Sequence, residues 1–265
     1  MPATGAKPAG ATDEASAAQA VRQMFDAIAP RYDLLNHLLS ANIDRLWWRR
    51  TARQFKEVLS RPDAIVADVC CGTGDLTMAL LKLRPKKAQP VLAIDFAHAM
   101  LRRGATKFAA AASGGVAGRS PVGRNAGAPY AVPIEADALH LPFRAASLDL
   151  IVTAFGFRNL ANYEAGLAEF HRALKPGGRL GILEFSEPDG MIGALYAVYF
   201  RRVLPAIGRL VCGKNGPYNY LPTSVGDFPP PPAMLAMIEA AGFKDCAWRP
   251  FTFGIAGLYT AVRPF

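Results

Sequence analysis

The chain has 265 residues, 51% of them apolar and 19% charged, a composition that can bury a sizeable core and excludes a disordered protein. No stretch of about 18 apolar residues is free of charge, which excludes an ordinary transmembrane helix. The net charge of +9 comes from two stretches without acids, five bases between Phe96 and Ile134 and four between Met191 and Lys214. Such local patches suit an anionic surface or substrate and argue against nucleic acid as a partner.

Residues 1–18 are small and polar and read as a flexible tail. From Ala20 to about Leu59 the pattern is helical and rich in aromatics and arginine, so residues 19–60 are expected to form an N-terminal helical lid. An alternation follows. Ile65–Val69 reads as a strand, Asp75–Leu83 as a helix, Val91–Ile94 as a strand and His98–Ala112 as a helix. Residues 113–129 are rich in Gly, Ser, Pro and Arg, a mobile loop by composition. Val132–Ala136 and Leu148–Ala154 read as strands, Tyr163–Leu174 as a helix, Lys175–Gly178 as a turn and Arg179–Phe185 as a strand. Residues 191–214 form a basic apolar segment with a helical stripe and Pro205 inside it. A short helix and two strands, Lys244–Trp248 and Gly257–Val262, close the chain. The expectation is an α/β fold of seven strands, mostly parallel, with helices on both faces, spanning residues 61–265.

The segment Asp68-Val69-Cys70-Cys71-Gly72-Thr73-Gly74-Asp75 lies where a strand passes into a helix, and its glycines allow close approach of a ligand to the backbone. A structural turn alone would also account for such a pair of glycines. Asp95, 21 residues after Gly74 and at the end of the next strand, sharpens the signal, because a carboxylate there can accept both hydroxyls of a ribose. The third glycine of a dinucleotide fingerprint is Thr77 here, and Asp75 puts a negative charge where a phosphate would sit. A nucleoside without phosphate fits better, and S-adenosylmethionine is one. Asp137 is placed to meet an adenine amino group with Ala138 beside it; an ordinary turn cap is the other reading. The cysteines Cys70, Cys71, Cys212 and Cys246 have no zinc spacing, and no metal is expected. The N-terminus lacks a basic start followed by an apolar core, so a cytoplasmic protein is expected.

The chain from about Met24 to Val262 resembles the ubiquinone/menaquinone biosynthesis C-methyltransferases, a Rossmann-like class I family dependent on S-adenosylmethionine. The resemblance is carried by Tyr32-Asp33-Leu34-Leu35-Asn36 through Ser40 with Leu46-Trp47, by Phe155-Gly156-Phe157-Arg158-Asn159, and by Arg172 through Gly178 to Glu184-Phe185-Ser186. Leu141-Pro142-Phe143, Tyr220 through Ser224 and Phe228-Pro229 extend it. It implies that Thr73, Asp95, Asp137 and Ala138 contact S-adenosylmethionine, beside Asp68, Gly72, Gly74 and Ala154 in the same strand-end loops. The implied substrate is a polyprenylated quinol, either demethylmenaquinol or the ubiquinone-pathway benzoquinol, methylated at a ring carbon. Arg158 and Asn159 are expected to orient the quinol oxygens, and Tyr32 to relay a proton from a lid. Three positions depart from the family pattern: Ala154 where Ser is common, Asp44 for a basic residue and Tyr259 for a histidine. Two alternatives stay open: a soluble small-molecule substrate and, sustained by these departures, a non-catalytic module that binds the cofactor at a lipid surface. The basic segment 191–214 is expected to touch an anionic membrane surface. A homodimer is left open.

Overall fold

The computed structural model describes residues 5, 6, 8, 10–29, 42–112, 128–186, 188 and 220–265. Tyr32, Asp33 and Asn36, the 191–214 segment and nearly all of the 113–129 loop lie outside the described residues.

Seven strands form one sheet: β1 (Val66–Val69), β2 (Val91–Asp95), β3 (Ala131–Glu135), β4 (Leu148–Ala154), β5 (Leu174–Phe185), β6 (Lys244–Phe251) and β7 (Ala256–Val262). Their order is β3-β2-β1-β4-β5-β7-β6. The first five are parallel, and β7 is antiparallel to both its neighbours. The expected seven-stranded, mostly parallel sheet is therefore present.

The helices are α1 (Glu14–Ile28), α2 (Asp44–Gln54), α3 (Lys56–Leu59), α4 (Asp75–Leu81), α5 (His98–Ala112), α6 (Tyr163–Ala173), α7 (Tyr220–Gly226) and α8 (Pro231–Ala240). Side chains alternate across a strand, so each strand feeds two cores. On one face Ala67, Val69, Ile151, Leu180 and Ile182 pack with Leu167 and Phe170 of α6 and Met234 and Ile238 of α8. On the other, Val66, Leu150, Val152 and Leu183 pack with Trp47, Trp48 and Ala52 of α2 and Leu76 and Leu80 of α4.

Two local expectations shift. Helix α1 starts at Glu14, inside the stretch that composition assigns to the tail, because Asp13 and Ser16 form a reciprocal capping box. Upstream of it the Ala6 N–H donates to the Leu160 carbonyl at 2.8 Å. The expected turn Lys175–Gly178 is a bulge within β5: Leu148 pairs with Leu174, yet Leu150 pairs with Arg179. Gly177 takes φ +77° there, and its N–H donates to the Arg263 carbonyl at 2.8 Å, so the segment after β7 accommodates the detour.

Candidate functional site

Strand order reverses at β1, whose neighbours are β2 on one side and β4 on the other. Open α/β sheets bind ligands beyond the strand ends at such a point. A cleft open to solvent, with about 970 Å³ of space, lies there. The ends of β1, β2 and β4 form its wall with Asp68, Asp95 and Ala154, and Ala18 and Phe25 of α1 close it from the other side. Helix α1 is held in place through the Asp26 carboxylate, which accepts the Ala99 N–H at 3.0 Å, and through Glu14, which accepts from Asn162 at 2.9 Å.

The loop after β1 turns through three left-handed residues, Cys70 at φ +57°, Gly72 at +55° and Gly74 at +85°. Cys70 is a non-glycine residue in that region, a conformation that persists only where its surroundings enforce it. A side chain at Gly74 would strike the Phe108 ring of α5, its Cβ 2.3 Å from the nearest ring carbon. At Gly72 a Cβ would meet open space, so this backbone faces the cavity unobstructed. Lys107 of α5 braces the loop from outside: its ammonium donates to the Thr73 hydroxyl at 3.1 Å and to Asp75 at 3.0 Å.

Four acids line the cavity, and two of them, Asp68 and Asp95, are buried. Asp95 accepts the Gly72 N–H at 2.7 Å on one oxygen and the Ala97 N–H at 2.9 Å on the other. Burial outweighs these bonds and pushes its carboxyl up to about 6. The Phe96 N–H also bonds this carboxylate, whose roughly four acceptor sites leave capacity for a ligand hydroxyl. Asp68 accepts from the Thr77 hydroxyl at 2.5 Å, while its other oxygen has no protein partner. Burial, reinforced by the charges of Asp95 and Asp75 and opposed by Thr77, raises this carboxyl to about 7. Thr77 explains why the third glycine of a dinucleotide loop is missing: its hydroxyl steadies a buried acid, a role no glycine can fill.

At the end of β3, Asp137 is half-exposed and lines the cavity. One of its oxygens accepts the Leu139 N–H at 2.9 Å, the turn cap weighed above, and the other lies 3.9 Å from the His140 Nδ1. Ala138 is buried beside it, and Ala154 lines the same cavity where a serine would add a hydroxyl.

The Phe155–Asn159 motif is organised differently from expectation. Phe155 has φ +57°, and a Cβ on Gly156 would lie 2.4 Å from the Cys70 Cβ, so the β1 and β4 loops interlock. Arg158 does not line the cavity. It is buried, pairs with the fully buried Glu184 at 2.9 Å, also bonds the Phe155 carbonyl, and lies over the Phe185 ring. The same Glu184 accepts the Arg158 N–H at 3.1 Å. The expectation set Arg158 against a quinol oxygen; in the structure its guanidinium pairs with Glu184. Its partner was not legible in the motif, since Glu184 comes from β5. Asn159 does line the cavity. Its amide N–H₂ reaches the Phe155 carbonyl at 3.4 Å, and its buried side-chain oxygen has no protein partner.

The departures Asp44 and Tyr259 both prove buried. Asp44 accepts the Arg45 N–H at 2.7 Å at the start of α2. Tyr259 sits in the core, where burial and the charge of Glu184 raise its phenol well above its ordinary range. No group of three or more His, Cys, Asp or Glu side chains suited to a metal occurs among the described residues. No helix among them is long and apolar enough to cross a membrane.

A nucleoside-sized cavity, an unobstructed glycine turn and orphaned buried oxygens on Asp68 and Asn159 fit S-adenosylmethionine. Comparison with known proteins agrees. The model of the ubiE/COQ5 methyltransferase family matches residues 13–263. The demethylmenaquinone methyltransferase of Deinococcus radiodurans is 42% identical over 99% of this chain and 100% of its own. That of Thermus thermophilus is 44% identical over 91% of this chain and 100% of its own. The ubiquinone/menaquinone biosynthesis C-methyltransferase UbiE of Geobacter sulfurreducens is 38% identical over 92% of this chain and 88% of its own. Among solved structures, a SAM-dependent methyltransferase from Aquifex aeolicus aligns with a TM-score of 0.54 at 19% identity, covering 80% of this chain and 89% of its own. The [4+2]-cyclase SpnF aligns with a TM-score of 0.61 at 16% identity, covering 99% of both chains. At such identities the structural matches speak for the fold alone.

Proposed function

The chain belongs to the ubiE/COQ5 methyltransferase family, and on that premise we propose that it methylates a ring carbon of a reduced, polyprenylated quinone, demethylmenaquinol first among them. S-adenosylmethionine supplies the methyl group on a sulfonium, which already carries its leaving group. The work left to the protein is to bind, orient and exclude water. The ring carbon must lie about 3–3.5 Å from the methyl and in line with the bond that breaks. The C–C bond forms as the C–S bond breaks, and the ring proton passes to solvent or a base.

The residue roles follow from the cavity. Asp95 takes the ribose hydroxyls on its remaining lone pairs, Asp137 and Ala138 meet the adenine, and Gly72, Thr73 and Gly74 bring the backbone against the ligand. Asp68 offers its orphaned oxygen to the cationic amino end, and Ala154 leaves room beside the sulfonium. Asn159 carries the substrate side of the reading: it is the buried polar group that reaches the cavity from the family's most specific motif without a protein partner for its oxygen. It accepts a quinol hydroxyl and sets the ring plane. Arg158 becomes a positioning residue that locks the turn presenting Asn159. Tyr32, on the stretch leading out of α1, retains the proton-relay role. Of the 19–60 region, the part in α1 acts as a lid while α2 packs in the core, and contact with the membrane surface gives access to the tail.

The test is transfer of label from methyl-labelled S-adenosylmethionine to reduced demethylmenaquinone presented in vesicles. Label in the lipid only when the ring is reduced is the expected result. Binding of S-adenosylmethionine with no label in any quinol would defeat the reading.

A further inference from the structure

Four large apolar side chains are exposed among the described residues: Ile43, Leu46, Phe253 and Phe265. The first three gather at one corner. Helix α2 runs alongside the end of β6 and the turn after it, as three contacts establish. Gln54 accepts from Arg249 at 3.1 Å, Arg50 lies over the Phe251 ring, and the Trp47 indole donates to the Thr252 hydroxyl at 2.8 Å. Moving toward the start of α2 moves past Thr252, which brings Phe253 to the end of the helix that carries Leu46 and Ile43.

The turn holds Phe253 out deliberately. Thr252, Phe253 and Gly254 are all left-handed, at φ +45°, +57° and +90°, and the Phe253 side chain is 77% exposed. Ser186 fastens the turn, its hydroxyl donating to the Gly254 carbonyl at 2.6 Å and its N–H to the Ile255 carbonyl at 3.0 Å. A strained backbone presenting a phenylalanine to solvent calls for something that covers it.

Charge identifies the cover. The exposed arc of α2 interleaves Ile43 and Leu46 with Arg45, Arg49, Arg50 and Arg53, while Asp44 is turned into the core. Arg249 adds a further exposed cation beside them. The sequence holds no acid from Arg45 to Lys56 or from Cys246 to Phe265. Apolar tips among unneutralised arginines match the boundary between acyl chains and anionic headgroups. An aromatic path leads inward from the same corner: Trp47 packs 5.8 Å from Phe155, Phe155 stacks 4.3 Å from Phe185, and Phe155 lines the cavity.

We propose that this corner, α2 with the Thr252–Gly254 turn, docks the protein on an anionic lipid bilayer and so brings the bilayer-held polyprenyl tail of the quinol beside the cavity that Phe155 lines. The proposal rests on the quinol reading for the tail, and on the exposed residues alone for the docking. It moves the membrane contact from the 191–214 segment, which lies outside the described residues, to a surface whose side chains are described.

Flotation with vesicles of phosphatidylcholine, alone or mixed with phosphatidylglycerol, tests it on the full chain. Wild type should float with the anionic vesicles and detach as salt rises. Leu46→Ser with Phe253→Ser should weaken that binding about tenfold or more, the effect of withdrawing two apolar side chains from the interface. Arg45→Gln, Arg49→Gln and Arg53→Gln together should weaken it roughly a hundredfold. Both variants should keep wild-type turnover on a short-tailed quinol in solution and lose it selectively on long-tailed quinol in vesicles. Unchanged flotation of both variants would overturn the docking. Light scattering that finds them converted from dimer to monomer would also overturn it, by making the corner an interface between copies. If no quinol is methylated while flotation falls as expected, the substrate reading fails and the docking surface stands.

Discussion

The two ends of the central strands use charge in opposite ways. At the N-terminal ends of β1, β2 and β4 the buried charges of Arg84 and Asp149 are engaged by the protein. Arg84 is buried and donates to the carbonyls of Leu59, Arg61, Ala64 and Gln89 at 2.8–3.1 Å. Asp149 accepts the Ile65 N–H, Lys175 and Arg61. Burial works against its carboxylate, yet the Ile65 N–H and Lys175 hold it below the usual range. At the C-terminal ends, burial pushes Asp68 and Asp95 up instead, and an oxygen of Asp68 and one of Asn159 lack partners among the described residues. One end is built to hold the sheet together; the other stores unmet interactions for a ligand.

The comparison breaks if changes at the binding end cost stability as much as affinity. The largest expected effect is Asp95→Ala, which removes a charged acceptor for two ribose hydroxyls and should weaken S-adenosylmethionine binding about a hundredfold or more in calorimetry. Relief of the buried charge offsets the loss of its bonds to Gly72 and Ala97, so urea unfolding should move little. A fall in the unfolding midpoint as large as the loss of affinity would erase the distinction between the two ends.

At the other end the signs reverse. Arg84→Met leaves four carbonyls without their donor, and should lower unfolding stability by about 3 kcal/mol in urea titrations. Affinity for S-adenosylmethionine in the folded fraction should stay at the wild-type value. Weakened binding in a variant that unfolds normally would mean that the two ends are coupled through the strands.

Much of this arrangement was legible in the sequence wherever the signal is local. Helix His98–Ala112 and strand Leu148–Ala154 have the bounds their patterns predict, because apolar period and flanking turns set them. The glycine loop and Asp95 meet at one cavity because strand ends converge in a parallel sheet. What depends on pairing between distant segments was not legible. Arg158 reads as a quinol-orienting cation within its motif, and its burial against Glu184, 26 residues on, is not visible there. Thr77 looks like a failed third glycine until Asp68 is seen under it. The start of α1 was hidden by a run of small residues whose helical signal is the Asp13–Ser16 cap.

The smallest expected effect discriminates best, because stability and binding should move in opposite directions. Asp68→Asn keeps the size of the side chain and an oxygen for the Thr77 hydroxyl, and removes the buried charge. The folded carboxyl lies near 7, above its ordinary 3.8. Below both values the group is protonated folded or unfolded and contributes nothing to the pH dependence. As pH rises from 3.8 toward 7 the unfolded chain gives up its proton first, so the acid progressively destabilises the fold, and above 7 the penalty is constant. The Asn variant should therefore melt higher than wild type at pH 8, with the gain vanishing near pH 4. Its affinity for S-adenosylmethionine at pH 8 should fall about tenfold, the loss of one charge-assisted contact. A melting shift equal at pH 4 and pH 8 would show that Asp68 is not a strained acid. A higher Tm with undiminished binding would remove it from the cofactor site and leave its orphaned oxygen a cost the fold carries for another reason.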